Sequence, residues 1–85
     1  MQIRKATIKD AEALLPLYED IGYPTTASNL ARCLEIILSQ PHYSYLLAER
    51  NGEILGFLGY ANLFFFEVAG SYYRILALSV AKEVR

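Results

Sequence analysis

A chain of 85 residues and 9.6 kDa has room for a single domain. Eight basic against nine acidic residues remove the electrostatic basis for nucleic-acid binding, and one cysteine and one histidine exclude a disulfide framework and a Cys/His zinc site. The 54% hydrophobic content excludes intrinsic disorder, and a mean hydropathy of +0.22 is high for a domain that buries only about 60–65% of its unfolded surface, so either apolar residues stay exposed or something outside this chain covers them.

Residues 3–7 are short and mixed, which predicts an edge strand. Thr7 has N-cap chemistry, and Asp10, three residues on, can reach back to it as in a capping box. Asp10 and Glu12 also place negative charge at the positive end of the helix that follows. Ala11, Leu14, Leu15, Tyr18 and Ile21 recur at helical spacing. Pro16 interrupts this pattern and removes one backbone donor, which predicts a kink. Gly22-Tyr23-Pro24 ends the helix.

Thr25, Thr26 or Ser28 can cap a second helix, whose apolar face is Ala27, Leu30, Ala31, Leu34, Ile37 and Leu38. Cys33 lies beside these core positions and has no basic partner in the pattern, so it is expected as a partly buried, unreactive thiol. His42, after Pro41, is expected in a solvated connection.

Residues 43–50 read as a strand, and Asn51-Gly52 is the strongest short hairpin signal. Residues 53–66 form the returning strand, apolar on both of its faces, which predicts burial on both. Its uncharged stretch, 54–66, is shorter than the ~20 residues of a spanning helix. Gly56 and Gly59 lie inside this strand without a following helix start. They are expected at a bulge or a close approach rather than in a phosphate loop. Residues 67–71 turn, and 72–81 form the last strand. The expected order is strand, helix, helix, strand, strand, strand, with short turns that make the last three antiparallel. With no apolar signal region after the N-terminus, a cytoplasmic, membrane-free protein is expected.

This order, with four local patterns, resembles the N-terminal half of the GCN5-related N-acetyltransferase (GNAT) superfamily. The patterns are the opening Ile3-Arg4-Lys5-Ala6-Thr7-Ile8-Lys9-Asp10, the helix pair joined through Gly22-Tyr23-Pro24, the hairpin around Asn51-Gly52, and Leu76-Ala77-Leu78-Ser79-Val80-Ala81-Lys82-Glu83-Val84-Arg85. The resemblance implies an α+β fold: a partial acyl-CoA N-acyltransferase domain over residues 1–85, with a mainly antiparallel four-stranded sheet and two helices. It implies transfer of an acetyl group from acetyl-CoA to a primary amine. Leu78, Ser79 and Val80 would pair with the pantetheine arm of the cofactor through their backbone. Arg85 would open the glycine-containing pyrophosphate loop, whose remaining members and the C-terminal half lie outside these 85 residues. Many members carry a glutamate general base where this chain has Leu76, which cannot take a proton.

The segment joining the helices lines the acceptor site in related folds. Tyr18 and Tyr23 are therefore candidate substrate-binding residues, with core packing as the alternative for each. Phe64, Phe65 and Phe66 could wall a binding site or pack under further helices. Without the pyrophosphate loop, the chain alone is expected to be inactive or nearly so. The competing reading is a non-catalytic module that self-associates, or takes a complementing chain, through an open sheet edge.

Overall fold

The computed structural model describes residues 1–82, which run as β1 (Gln2–Lys5), a single 3-10 turn (Ile8–Asp10), α1 (Ala11–Asp20), α2 (Ala27–Leu38), β2 (Tyr43–Arg50), β3 (Glu53–Phe64) and β4 (Ser71–Val80). The four strands form one antiparallel sheet in the order β1-β2-β3-β4. This is the element order and the fold class expected from the sequence. None of the described helices is long and apolar enough to cross a membrane.

Local chemistry explains where the elements begin and turn. The Asp10 carboxylate accepts the Thr7 backbone N–H at 2.7 Å, the reach-back half of the capping box. Thr26 caps α2 by accepting the Asn29 backbone N–H at 3.1 Å. α1 continues across Pro16 to Asp20. Between β2 and β3, Asn51 and Gly52 both take positive φ, 53° and 81°, as a two-residue hairpin of the primed type requires.

The strand registers divide the sheet into two unlike faces, because directly paired residues point the same way. Phe57 pairs with Leu47 and Ser79, and these point toward the helices. There Leu14, Leu17, Leu30 and Leu34 close over Tyr45, Leu47 and Phe57 to form the core. Leu58 pairs with Leu46 and Leu78, and Gly56 with Ala48 and Val80; these share the opposite face. No described helix covers that face. The expectation that β3 is buried on both sides is therefore corrected. Its helix side is buried at Phe57 and Ala61, whereas Leu58 and Tyr60 are only half-buried and Phe64 to Phe66 are exposed. The hydrophobicity of a strand records that both faces are apolar; whether a second layer sits on them is a property of the tertiary structure.

Both interior glycines of β3 take the packing role expected of them. A Cβ on Gly56 would lie 2.8 Å from the Ser79 carbonyl oxygen, so only glycine lets β4 approach there. Beside Gly59 the β3–β4 register slips: Gly59 pairs with Ala77 and Tyr60 with Ile75, which leaves Leu76 as the extra residue of a bulge.

Candidate functional site

The candidate cofactor residues Leu78, Ser79 and Val80 close β4, which has only β3 beside it among the described residues. Alternate backbone groups of such a terminal strand point away from the sheet. The side chains divide accordingly. Ser79 is buried and its hydroxyl reaches the Leu17 carbonyl oxygen at 3.5 Å, the outer limit of a hydrogen bond. Leu78 and Val80 are exposed on the helix-free face. Contacts to an extended ligand along this edge would thus come from backbone and from aliphatic surface. Arg85, the fourth candidate, lies outside the described residues.

Leu76 sits at the β4 bulge with half of its surface exposed. It occupies the position from which a glutamate would act, and it offers no proton acceptor.

Tyr18 and Tyr23, the candidate acceptor-site residues, are not brought together. Tyr18 points inward from α1. Its ring stacks on Phe57 with centroids 5.1 Å apart, and its hydroxyl lies 2.7 Å from the hydroxyl of buried Tyr45. Tyr45 stacks on the same Phe57 at 5.3 Å. Burial pushes both phenols above their ordinary pKa, with the Tyr18 hydrogen bond adding to the shift on Tyr45, so both remain neutral hydrogen-bonding groups. Tyr23 lies outside, 71% exposed, with its backbone N–H donating to the Tyr18 carbonyl. The core reading of Tyr18 therefore has a specific geometry. Replacing Tyr18 by Phe leaves the Tyr45 hydroxyl without its phenol partner and is expected to cost about 1–2 kcal/mol. Tyr45→Phe should cost a similar amount, and the double variant less than the two together, as a urea-denaturation cycle at fixed chain concentration would measure.

A second group of polar residues ties β1 and β2 to the start of the helical layer. Arg4 donates to Asp10 at 2.8 and 2.9 Å and to Glu49 at 3.3 Å through two nitrogens. The Arg4 hydrogen bonds hold the Asp10 carboxyl below its ordinary pKa, against the opposing effect of burial, and the Thr7 backbone N–H adds to the lowering. The sequence shows the Thr7–Asp10 half of this group but not the contact to Glu49, 45 positions from Arg4, nor the Tyr18–Tyr45 pair. Neither separation has a local period to reveal it.

At the end of β4 a concavity opens between α1 and the β2–β3 turn, lined by Pro16, Asp20, Gly52, Glu53, Ala81 and Lys82. Lys82 pairs with Asp20 at 3.3 Å from a largely exposed position.

Two peripheral expectations resolve differently. His42 is exposed as expected, with its ring edge-on to Phe64. Cys33 is exposed, not partly buried. The buried positions of α2 are Leu30 and Leu34, and Cys33 falls on the outer flank of that stripe. Helical spacing places a residue near a face; the crossing of α2 over the sheet decides which flank is covered.

Solved structures of similar shape exist. A GNAT family acetyltransferase from Staphylococcus aureus superposes with a TM-score of 0.91 and 33% identity, over 99% of this chain and 64% of its own. An aminoglycoside antibiotic 6'-N-acetyltransferase from Acinetobacter haemolyticus superposes with a TM-score of 0.78 at 15% identity, over 100% of this chain and 60% of its own. A ribosomal-protein-alanine N-acetyltransferase from Brucella melitensis gives 0.71 at 18%, over 96% and 57%. This chain thus spans less than two thirds of the length of each. No family model and no curated protein sequence matches it.

Proposed function

From a chain that carries the N-terminal half of the GNAT fold, we propose a role in acetyl transfer from acetyl-CoA to a primary amine. The observation that carries this reading is the end of β4. Among the described residues it is a terminal strand with a bulge, with Ser79 turned inward and Leu78 and Val80 outward, in a chain 33% identical over 99% of its length to part of a GNAT acetyltransferase. The residues present fit one part of the cofactor. An extended amide-bearing arm can pair with the outer backbone of β4 as an added strand would, and the Leu78 and Val80 side chains give it aliphatic surface.

When bound, acetyl-CoA supplies an activated acetyl thioester. The work left to the protein is to orient it, to polarise its carbonyl and to receive a deprotonated amine. β4 serves the first of these tasks. Leu76 serves none of the proton chemistry, so an amine that reaches this edge must lose its proton to another group. It follows that the 85 residues alone bind acetyl-CoA weakly and transfer little.

A titration of the 85-residue chain with acetyl-CoA tests both halves of the reading. By calorimetry the affinity is expected to be weaker than about 1 mM, equivalent to less than about 4 kcal/mol of binding. In an amide NMR spectrum, millimolar acetyl-CoA should shift residues 76–80 selectively. Micromolar affinity would overturn the claim that the chain is insufficient alone. Shifts confined to other elements would overturn the assignment of β4 as the cofactor edge.

A further inference from the structure

A glycine inside a strand weakens it, because it adds backbone freedom and has no side chain to pack, so Gly56 calls for a physical reason. The β2–β3 register supplies part of one. Ala48 pairs with Gly56 and Glu49 with Ile54, which leaves Leu55 as an extra residue bulged from β3. The Leu55 carbonyl oxygen accepts the Ala81 backbone N–H at 2.7 Å. One residue on, a Cβ at Gly56 would meet the Ser79 carbonyl oxygen at 2.8 Å and the Val80 Cα at 3.5 Å. Both neighbours are backbone atoms, which cannot swing aside as the end of a flexible side chain can. From the helix side, the Ser79 hydroxyl reaches the Leu17 carbonyl oxygen at 3.5 Å. Ser79 and Ala81 are buried, whereas Leu78 and Val80 are exposed.

We infer that Gly56 is a positioning residue for the outer edge of β4. Its missing Cβ lets the end of that strand close onto the Leu55 bulge, and this closure holds the Leu78 and Val80 backbone groups outward. The inference rests on the reading of β4 as the acetyl-CoA edge. In an antiparallel ladder alternate residues turn their N–H and C=O to opposite sides. The Ala81 N–H points to β3, so the groups of Ser79 do too, and those of Leu78 and Val80 point away. A methyl group at Gly56 would press on the Ser79 carbonyl oxygen, and the strand would yield by moving outward or twisting, which re-aims both outer residues. All of these contacts lie on the inner side of β4, within residues 17–81, and are independent of what borders its outer edge. Gly59 provides the control. It lies on the same strand, and a Cβ there would meet the Ala77 Cβ at 3.7 Å, an ordinary van der Waals contact.

Amide hydrogen exchange without ligand, and an acetyl-CoA titration followed by amide NMR, compare the 85-residue chain with Gly56→Ala and Gly59→Ala. In the unsubstituted chain the Ser79 and Ala81 amides should exchange slowly and those of Leu78 and Val80 fast. Gly56→Ala should speed Ala81 exchange at least about tenfold relative to that of Leu34, in the core of α2. It should also reduce the initial slope of the Val80 shift against acetyl-CoA concentration at least about fivefold. Gly59→Ala should change either by no more than about twofold. A methyl group that only destabilised the fold would lower the urea midpoint and leave that slope unchanged, because the titration reads folded molecules. No shift at Leu78 or Val80 in the unsubstituted chain overturns the acetyl-CoA reading and this inference with it. A slope that survives Gly56→Ala overturns this inference alone. If Gly56→Ala loses its circular-dichroism signature of folding, the unsubstituted chain decides: Ser79 and Ala81 amides that exchange as fast as that of Val80 overturn the inference.

Discussion

Asp10→Ala is expected to destabilise the chain by about 2–3 kcal/mol, the usual consequence of breaking a partly buried, hydrogen-bonded ion pair. The carboxylate accepts four hydrogen bonds: two from Arg4 at 2.8 and 2.9 Å, one from the Thr7 backbone N–H at 2.7 Å and one from the Thr7 hydroxyl at 3.2 Å. With it gone, the Thr7 N–H loses its acceptor and Arg4 keeps Glu49, at 3.3 Å, and the Lys5 carbonyl oxygen, at 3.2 Å. The same geometry sets a pH dependence. The Asp10 pKa is lowered in the folded state, chiefly by the Arg4 hydrogen bonds. Between that lowered value and the ordinary aspartate value near 4, the unfolded chain binds more protons than the folded one, so stability rises with pH there. The contribution of Asp10 is fully present above about pH 5 and fades as acid protonates the folded carboxyl. Asp10→Asn should therefore flatten the acid limb of a plot of stability against pH, in addition to lowering its plateau. Urea denaturation at a series of pH values and one chain concentration measures both. A parallel downward shift with an unchanged acid limb would mean that Asp10 contributes shape and not charge.

Leu14→Ala is expected to be more damaging, at about 3–5 kcal/mol. Leu14 is completely buried, as is Leu34 of α2, and both belong to the cluster that rests on Tyr45, Leu47 and Phe57. Truncation removes the transfer free energy of three carbons and leaves a cavity that a thin, single-layered helix–sheet sandwich fills only by moving α1. A domain of this length has a total stability of about 4–13 kcal/mol, so the loss is a large fraction of the whole. The denaturation midpoint should fall while the slope stays constant, because the surface exposed on unfolding hardly changes. A cost below about 1 kcal/mol would place Leu14 outside the cooperative core. Leu78 gives the comparison: it is a leucine of equal size but 59% exposed on the helix-free face, and Leu78→Ala should cost less than about 1 kcal/mol.

The contrast between those two leucines separates what could be read in the residues from what could not. Ala11, Leu14, Leu15 and Tyr18 at helical spacing, Thr26 before Ala27 and Asn51-Gly52 between two apolar runs each act over three or four positions. Signals of that range survive in a sequence because the physics behind them is local: a cap, a turn of helix, a positive φ. The element order and the fold class follow from them. The candidate site was legible only as far as its backbone. Leu78, Ser79 and Val80 could be placed on the last strand by pattern, yet which of the three turns inward depends on the β3–β4 register and on the bulge at Leu76.

What the residues alone determined, then, was a small α+β chain of high apolar content, whose element order resembles the N-terminal half of an acetyltransferase domain. The tertiary structure decided the rest. It left Leu78 and Val80 exposed on a helix-free face of the sheet, joined Tyr18 to Tyr45 and Arg4 to Glu49, and left Cys33 outside. The physical reason is common to all four. Each depends on how a helix crosses the sheet or how two distant strands come into register, and those arrangements minimise the energy of the whole packed layer, to which no single stretch of sequence holds the key.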